Sequence, residues 1–367
     1  MIWNWQRKEW PEFSYDAAAL HELEQRFLRE SGMLLGAYSH FNQADKMELI
    51  VDLISDEALK SSAIEGEILN RDSLQSSIRR NFGLATDHRR VPPAEQGIAQ
   101  MMISLYHDFN EPLSHATLFK WHRELMSGRA DLHDVGCYRK GEEPMQVISG
   151  SIHNPRVHFE APPSAMVYAE MDRFVTWFNN TSASGNRPMA ALLRAGLTHL
   201  YFVTIHPFED GNGRIGRALA EKALAQSLGQ PALIALSQVI ERHKKEYYRQ
   251  LELHNKHMQV TSWLHYFAQT TLSANRYSQS VVTFLLAKTR LYESITGQLN
   301  LRQKKVIERI FREGVDGFKG GLSAENYISI TGTSRATATR DLNQLLELGA
   351  FIRTGSLKGS RYWLNLG

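Results

Sequence analysis

Between Asp16 and about Arg80 apolar residues return every three to four positions, with Leu20, Leu23, Phe27 and Leu28 the clearest set, and this spacing predicts helices. Three tryptophans, Trp3, Trp5 and Trp10, precede this stretch and are expected to cover the helical bundle. The segment NFGLATDHRRVPP, residues 81–93, mixes Gly, polar residues and a double proline and reads as a connection. A second helical region starts near Ala94. From Gly136 to Pro163 β-branched pairs stand between Gly, Asn and Pro, which predicts an irregular hairpin, and helical spacing resumes at Ser164. After Leu299 the order is a helix, a short helix, a Thr-Gly-Thr turn, a longer helix and two short strands. The pattern as a whole predicts a mainly α chain in three regions: 1–93, 94–299 and 300–367.

Composition adds scale and address. With 367 residues and 43% apolar content the chain is too long for one small domain and has ample material for a core. The net charge of +3 gives no whole-chain attraction to nucleic acid or an acidic membrane. Charge is nevertheless uneven: residues 300–367 hold eleven Lys and Arg against six Asp and Glu, so the remainder carries −2. The order of elements in that basic region resembles a winged helix-turn-helix. On this resemblance Ser334, Arg335, Thr337 and Arg340 would face a DNA groove or phosphates; docking of a protein is the other use of such a surface. The single cysteine, Cys137, excludes an internal disulfide. Neither a signal sequence nor an apolar span of membrane length is evident, so a cytoplasmic location without membrane contact is expected.

The densest chemistry lies in HPFEDGNGRIGR, His206–Arg217, directly after the apolar run Leu200–Val203 and ahead of a predicted helix beginning near Gly213. Free N–H groups at a helix start bind anions, and Gly211 and Gly213 would let a phosphate reach the backbone. Arg214 and Arg217 are three apart, hence on one helix face, where two guanidinium forks can hold successive phosphates. Asn212 could donate to a phosphate oxygen between them. Asp210 is a hard carboxylate suited to Mg²⁺ shared with phosphate oxygens, and His206 is the candidate general base. A plain interhelical turn with surface arginines is the simpler alternative.

The string resembles the signature of the Fic family, His-x-Phe-x-Asp/Glu-Gly-Asn-Gly-Arg-x-x-Arg, through His206, Phe208, Asp210, Gly211, Asn212, Gly213, Arg214 and Arg217, with Ile215 and Gly216 at the two free positions. This resemblance implies a helical Fic core with a β-hairpin flap, and transfer of AMP from ATP to a Ser, Thr or Tyr hydroxyl of a protein, which could be the chain itself. It assigns His206 as base, Asp210 as the Mg²⁺ ligand and Arg214 and Arg217 as clamps on the β- and γ-phosphates. The hairpin MQVISG resembles the Fic flap, so Val147, Ile148, Ser149 and Gly150 would border the nucleotide. Likewise KEYYRQLELHN resembles the helix that encloses adenine, with Tyr248 and Asn255 as base contacts.

Upstream, SSAIEGE fits the Fic inhibitory motif through Ser61, Glu65 and Gly66. The resemblance implies that Glu65 pairs with Arg217 and holds ATP unproductively. In some relatives the same glutamate orients a water that removes AMP, so de-AMPylation stays open. A DNA-binding regulator with a nucleotide-sensing Fic core is the reading from another class, and homodimer formation is likewise open.

Overall fold

The computed structural model describes residues 2–87, 89–151 and 154–366. It divides into two compact units, one of residues up to Ser39 with Lys46–Ser278, the other of His40–Asp45 with Gln279 onward. The elements of the larger unit are α1 (His21–Ser39), α2 (Gln43–Ile64), α3 (Arg71–Asn81), α4 (Pro93–His107) and α5 (His115–Leu125). A hairpin follows, β1 (Gln146–Ser151) and β2 (Asn154–Glu160). Then come α6 (Ser164–Asn180), α7 (Ala191–Ile205), α8 (Asn212–Leu228), α9 (Leu236–Arg242), α10 (Lys244–His254) and the long α11 (Thr261–Ile295), whose last part belongs to the smaller unit.

The centre of the larger unit is the pair α7 and α8. Leu192, Leu200, Phe202 and Ile205 of α7 and Ile215, Leu219, Ala223 and Leu224 of α8 are all buried. A helix apolar all round can only sit inside other helices, and α7 does. Two buried cations lock the pair to its surroundings. Arg194 donates to the carbonyl of Phe178 (2.9 Å) and to Oε1 of Gln226 (2.7 Å). Lys222 donates to the carbonyls of Asp108 (2.6 Å) and Phe109 (2.8 Å).

From Lys46 onward α2, together with α3, lies in the same compact unit as α4–α10. The tryptophans differ from expectation. They cover the hairpin and α6–α7 rather than α1–α3, since each finds an aromatic or hydrogen-bond partner there. Trp3 is buried edge-on against Phe159 of β2, with ring centroids 5.4 Å apart, and Trp5 Nε1 donates to the carbonyl of Glu160 (2.7 Å). Trp10 Nε1 donates to Glu170 (2.9 Å) and its ring meets Tyr201 edge-on.

The smaller unit holds α12 (Leu301–Phe311), α13 (Ala324–Thr331), α14 (Arg335–Glu347) and an antiparallel hairpin, β3 (Phe351–Thr354) with β4 (Arg361–Leu364). Its core joins Val306, Ile307, Ile310, Tyr327, Leu342, Leu345 and Phe351. Buried Asp341 of α14 anchors the helices to one another by accepting from Arg302 Nε (2.8 Å) and from the Tyr327 hydroxyl (2.9 Å). Of the four residues expected to face DNA, two serve the helix itself. Ser334 caps α14 by accepting from the Thr337 N–H (3.3 Å), and the two hydroxyls share a hydrogen bond. Arg335 pairs with Glu325 at 3.2 Å, and Arg340 is exposed.

Candidate active site

The site forms where α7 ends, the loop 206–211 turns, and α8 begins. His206 terminates α7 in the left-handed conformation, φ 49° and ψ 58°, a region that non-glycine residues seldom occupy and that is often found at functional positions. Its carbonyl is held by Arg139 Nε at 2.8 Å, and Arg139 also binds Ser164 and the Pro162 carbonyl. The Nδ1 atom of His206 lies 3.3 Å from the Val203 carbonyl. A proton on Nδ1 donating there leaves Nε2 as an acceptor. Burial, with the charge of Arg139 beside it, pushes the His206 pKa down to about 4, so the ring is neutral at physiological pH.

Phe208 is buried and stacks on His122, with centroids 4.1 Å apart and planes 11° from parallel. Asn212 is engaged within the loop itself. Its Oδ1 accepts from the Phe208 N–H (2.9 Å) and its Nδ2 donates to the Phe208 carbonyl (2.8 Å). The side chain is therefore a buried staple that sets the loop shape, because both Phe208 backbone groups are shut off from water and need partners.

Asp210 carries a half-buried negative charge in the loop. Burial opposes its ionisation, but the Gly211 N–H (2.5 Å), Arg214 and Arg129 outweigh that and hold its carboxyl below the usual range. Arg129 Nη1 lies 2.7 Å from Asp210 Oδ2, and the same guanidinium forks onto Asp131. An arginine thus already sits on the carboxylate expected to take a cation. Nearby, Glu209 accepts from the N–H groups of His133 (2.9 Å) and Asp134 (3.0 Å), so residues 129–134 are strapped to the loop.

At the start of α8 the two arginines are both buried and both engaged. Arg217 Nη1 meets Glu65 Oε1 at 2.8 Å; its Nε donates to Ser61 Oγ (3.0 Å) and its Nη2 to the Ser61 carbonyl (2.8 Å). Burial opposes the charge on Arg217, but Glu65 and Tyr247 outweigh it and its pKa is raised. The Glu65 carboxylate lies against the first turn of α8: a β-carbon added at Gly213 would come 2.2 Å from Oε1, which is why only glycine fits there. Arg214 Nη1 meets Glu67 Oε2 at 2.5 Å, and its Nη2 is 3.7 Å from Asp210. Behind Arg217, Glu57 of α2 and Glu221 of α8 are buried together. Burial and, for Glu221, the neighbouring Glu57 push both carboxyls up, the arrangement of a pair that keeps a proton.

Glu65 and Glu67 both lie in the turn that follows α2. The N–H of Gly66 bonds to the Ala63 carbonyl (3.1 Å) and that of Glu67 to the Ser62 carbonyl (3.0 Å), with Gly66 at φ 87°. This is a helix-ending turn that requires a left-handed residue. It sends Glu65 and Glu67, on either side of the glycine, toward α8.

Of the other expected contacts, Tyr248 donates from its hydroxyl to the Ile64 carbonyl (3.0 Å) and approaches Glu65 Oε2 at 3.4 Å. Asn255 donates to the carbonyl of His158 on β2 (3.1 Å) and so tethers the hairpin to α10. Glu252 of α10 adds an ion pair to Arg156 and a hydrogen bond to His158 Nδ1, both at 2.8 Å. Val147, Ile148, Ser149 and Gly150 lie on β1, with Val147 and Ile148 exposed. A bulge between those two shifts the register of the hairpin. Sequence reasoning missed Glu67, Arg129, Arg139 and the pair Glu57 and Glu221. An acid two residues after Glu65 was a visible signal; Arg129, Arg139 and Glu57 lie far from the loop in sequence, and Glu221, four residues after Arg217, carries no signal without its partner Glu57.

Residues 112–224, which include the whole loop, match the family model described as Fic/DOC family. The chain carries a Fic/DOC-family domain. Residues 3–84 match a second model, a domain of unknown function, DUF4172. The chain is 25% identical over 256 residues to protein adenylyltransferase fic-1 of Caenorhabditis elegans, covering 68% of this chain and 46% of that protein. To protein adenylyltransferase Fic of Drosophila melanogaster it is 36% identical over 139 residues, 38% of this chain and 24% of that one. The matches thus span less than half the length of these relatives. Among solved structures, a Fic family protein from Desulfovibrio desulfuricans G20 matches 96% of this chain and 98% of its own, with TM-score 0.54 and 21% identity. A Fic domain containing signaling protein from Bacteroides thetaiotaomicron matches 74% of this chain and 98% of its own, with TM-score 0.52 and 19% identity. The likeness to both is one of fold. No helix among the described residues is long and apolar enough to cross a membrane.

Proposed function

We propose that this Fic-domain chain is a protein adenylyltransferase whose resting state is held off by Glu65. The observation that carries this reading is the carboxylate of Glu65 on buried Arg217, seated against the first turn of α8. An internal anion already occupies the kind of place a nucleotide phosphate would need. In the proposed reaction the oxygen of a target hydroxyl attacks the α-phosphorus of ATP. The bond from that phosphorus to the oxygen bridging to the β-phosphate breaks, pyrophosphate leaves, and the hydroxyl proton passes to Nε2 of His206. Free N–H groups at the start of α8 would stabilise charge on the α-phosphate, while Arg214 and Arg217 would orient the leaving group. The half-buried, hard oxygens of Asp210, already matched by the cationic Arg129, fit a Mg²⁺. Among the described residues no group of three or more His, Cys, Asp or Glu could hold a metal, so the ion would be shared with phosphate oxygens. When bound it would supply charge neutralisation to the polyphosphate.

The exposed edge of β1, with Val147 and Ile148, supports docking of an extended target segment as an added strand. The test is labelling of protein with ATP carrying radioactive α-phosphate and Mg²⁺. Glu65→Gly is expected to label itself or a target more than the unaltered chain, and Glu65→Gly with His206→Ala to lose that label. Undiminished labelling in the doubly altered protein would remove His206 as base. Glu65 also stands where it could orient a water, so release of AMP from a modified target by the unaltered chain, lost in Glu65→Gly, would favour the de-AMPylase reading.

A further inference from the structure

The inhibitory pattern Ser61–Gly66 is complete before residue 67, yet Glu67 holds the other arginine of the loop. We propose that Glu67 is a second inhibitory carboxylate, which occupies Arg214 as Glu65 occupies Arg217, so that a polyphosphate enters only when both acids leave. This rests on the reading of Arg214 and Arg217 as phosphate clamps.

Three features support the assignment. Arg214 is 5% exposed at its side chain, and Glu67 Oε2 lies 2.5 Å from its Nη1, so the pair is shielded on the arginine side from water that would weaken it. A guanidinium fork in contact with a carboxylate cannot offer those N–H groups to a phosphate, and the carboxylate repels an arriving anion. The second feature is placement. Glu67 lies in a short link anchored at both ends: its own N–H is tied to the Ser62 carbonyl (3.0 Å), and downstream Asn70 caps α3 and bonds through its N–H to Glu95 Oε1 (3.0 Å). Its carboxylate is therefore presented from a fixed backbone, not from a loose loop. The third is coupling. Glu65 and Glu67 flank Gly66 in one hydrogen-bonded turn, and opening of that turn releases both arginines together. Removal of Glu65 alone leaves Arg214 occupied, so the brake is only partly lifted.

The experiment measures equilibrium binding of ATP and of inorganic tripolyphosphate, each with Mg²⁺, to the full chain by calorimetry, with no turnover required. Four proteins are compared: the unaltered chain, Glu65→Gly, Glu67→Gln and the double variant; thermal melting confirms that each is folded. Expected is a gain of about three- to tenfold in affinity for both ligands with Glu67→Gln, the scale of one charge-assisted contact partly open to solvent. The gain should be larger again when Glu67→Gln is added to Glu65→Gly. Tripolyphosphate isolates the clamps from adenine contacts. If Glu65→Gly tightens binding while Glu67→Gln, folded, binds no better than the unaltered chain, Glu67 is a structural ion pair only and the proposal is overturned. If no variant binds either ligand, the phosphate-clamp reading itself has failed and takes this proposal with it.

Discussion

Replacing Gly66 by alanine should weaken the protein and awaken it in the same step. Gly66 sits at φ 87°, and no atom lies within 4 Å of where its β-carbon would stand, so the substitution creates no clash and acts through the backbone alone. A residue with a β-carbon in the left-handed region costs about 1–2 kcal/mol relative to glycine. That cost is felt only while the turn Ser62–Glu67 is closed, with Glu65 on Arg217 and Glu67 on Arg214. Opening the turn relieves it, so the closed form loses about five- to thirtyfold in population relative to the open one. ATP affinity and self-labelling in Gly66→Ala should rise by up to that factor, while the melting temperature falls by about 2–4 °C per kcal/mol of strain kept in the folded state. Calorimetric titration with ATP beside a thermal melt gives both numbers. A lowered melting temperature with unchanged ATP affinity would refute the reasoning, because strain would then be stored without being coupled to the site.

Two further outcomes are expected. His122, His199 and His206 each have pKa values pushed down to about 4, first by burial, from a usual value near 6.5. The unfolded chain therefore binds more protons between those values, so their contribution is complete above about pH 6.5 and is lost as pH falls toward 4. Melting temperature should drop across that window, and the acidic limb of adenylyl transfer, where protonation of His206 removes the base, should lie below pH 5; a limb centred near 6.5 would contradict the neutral ring. Arg129→Ala, which removes the cation from Asp210, should tighten binding of Mn²⁺ with a non-hydrolysable ATP analogue about two- to fivefold by electron paramagnetic resonance, the modest scale reflecting a pair open to solvent. Equal or weaker Mn²⁺ binding would show that Arg129 does not compete for that carboxylate.

The loop could be read in sequence because its chemistry is local: a base, a carboxylate, three glycines and two arginines occupy one turn and one helix start, and spacing alone puts them together. The hairpin and the helical spacing were legible for the same reason. The bonds of Asn212 to the Phe208 peptide groups are not legible in sequence, because an amide can serve a phosphate or the backbone equally well. Trp3, Trp5 and Trp10 were assigned to the nearest helices because a sequence shows that an aromatic will be covered and not what covers it. Arg129 meets Asp210, and Glu57 meets Glu221, across long stretches of chain, and such pairs have no periodic signal to betray them.

Trp3 and Trp5 hold the Phe159–Glu160 end of β2, so they brace the strand that pairs with the edge proposed to dock a target. Alanine in place of Trp3 and Trp5 would leave His206 and both arginines untouched. On the proposed function, such a change would alter which targets dock while the groups proposed for catalysis stay in place.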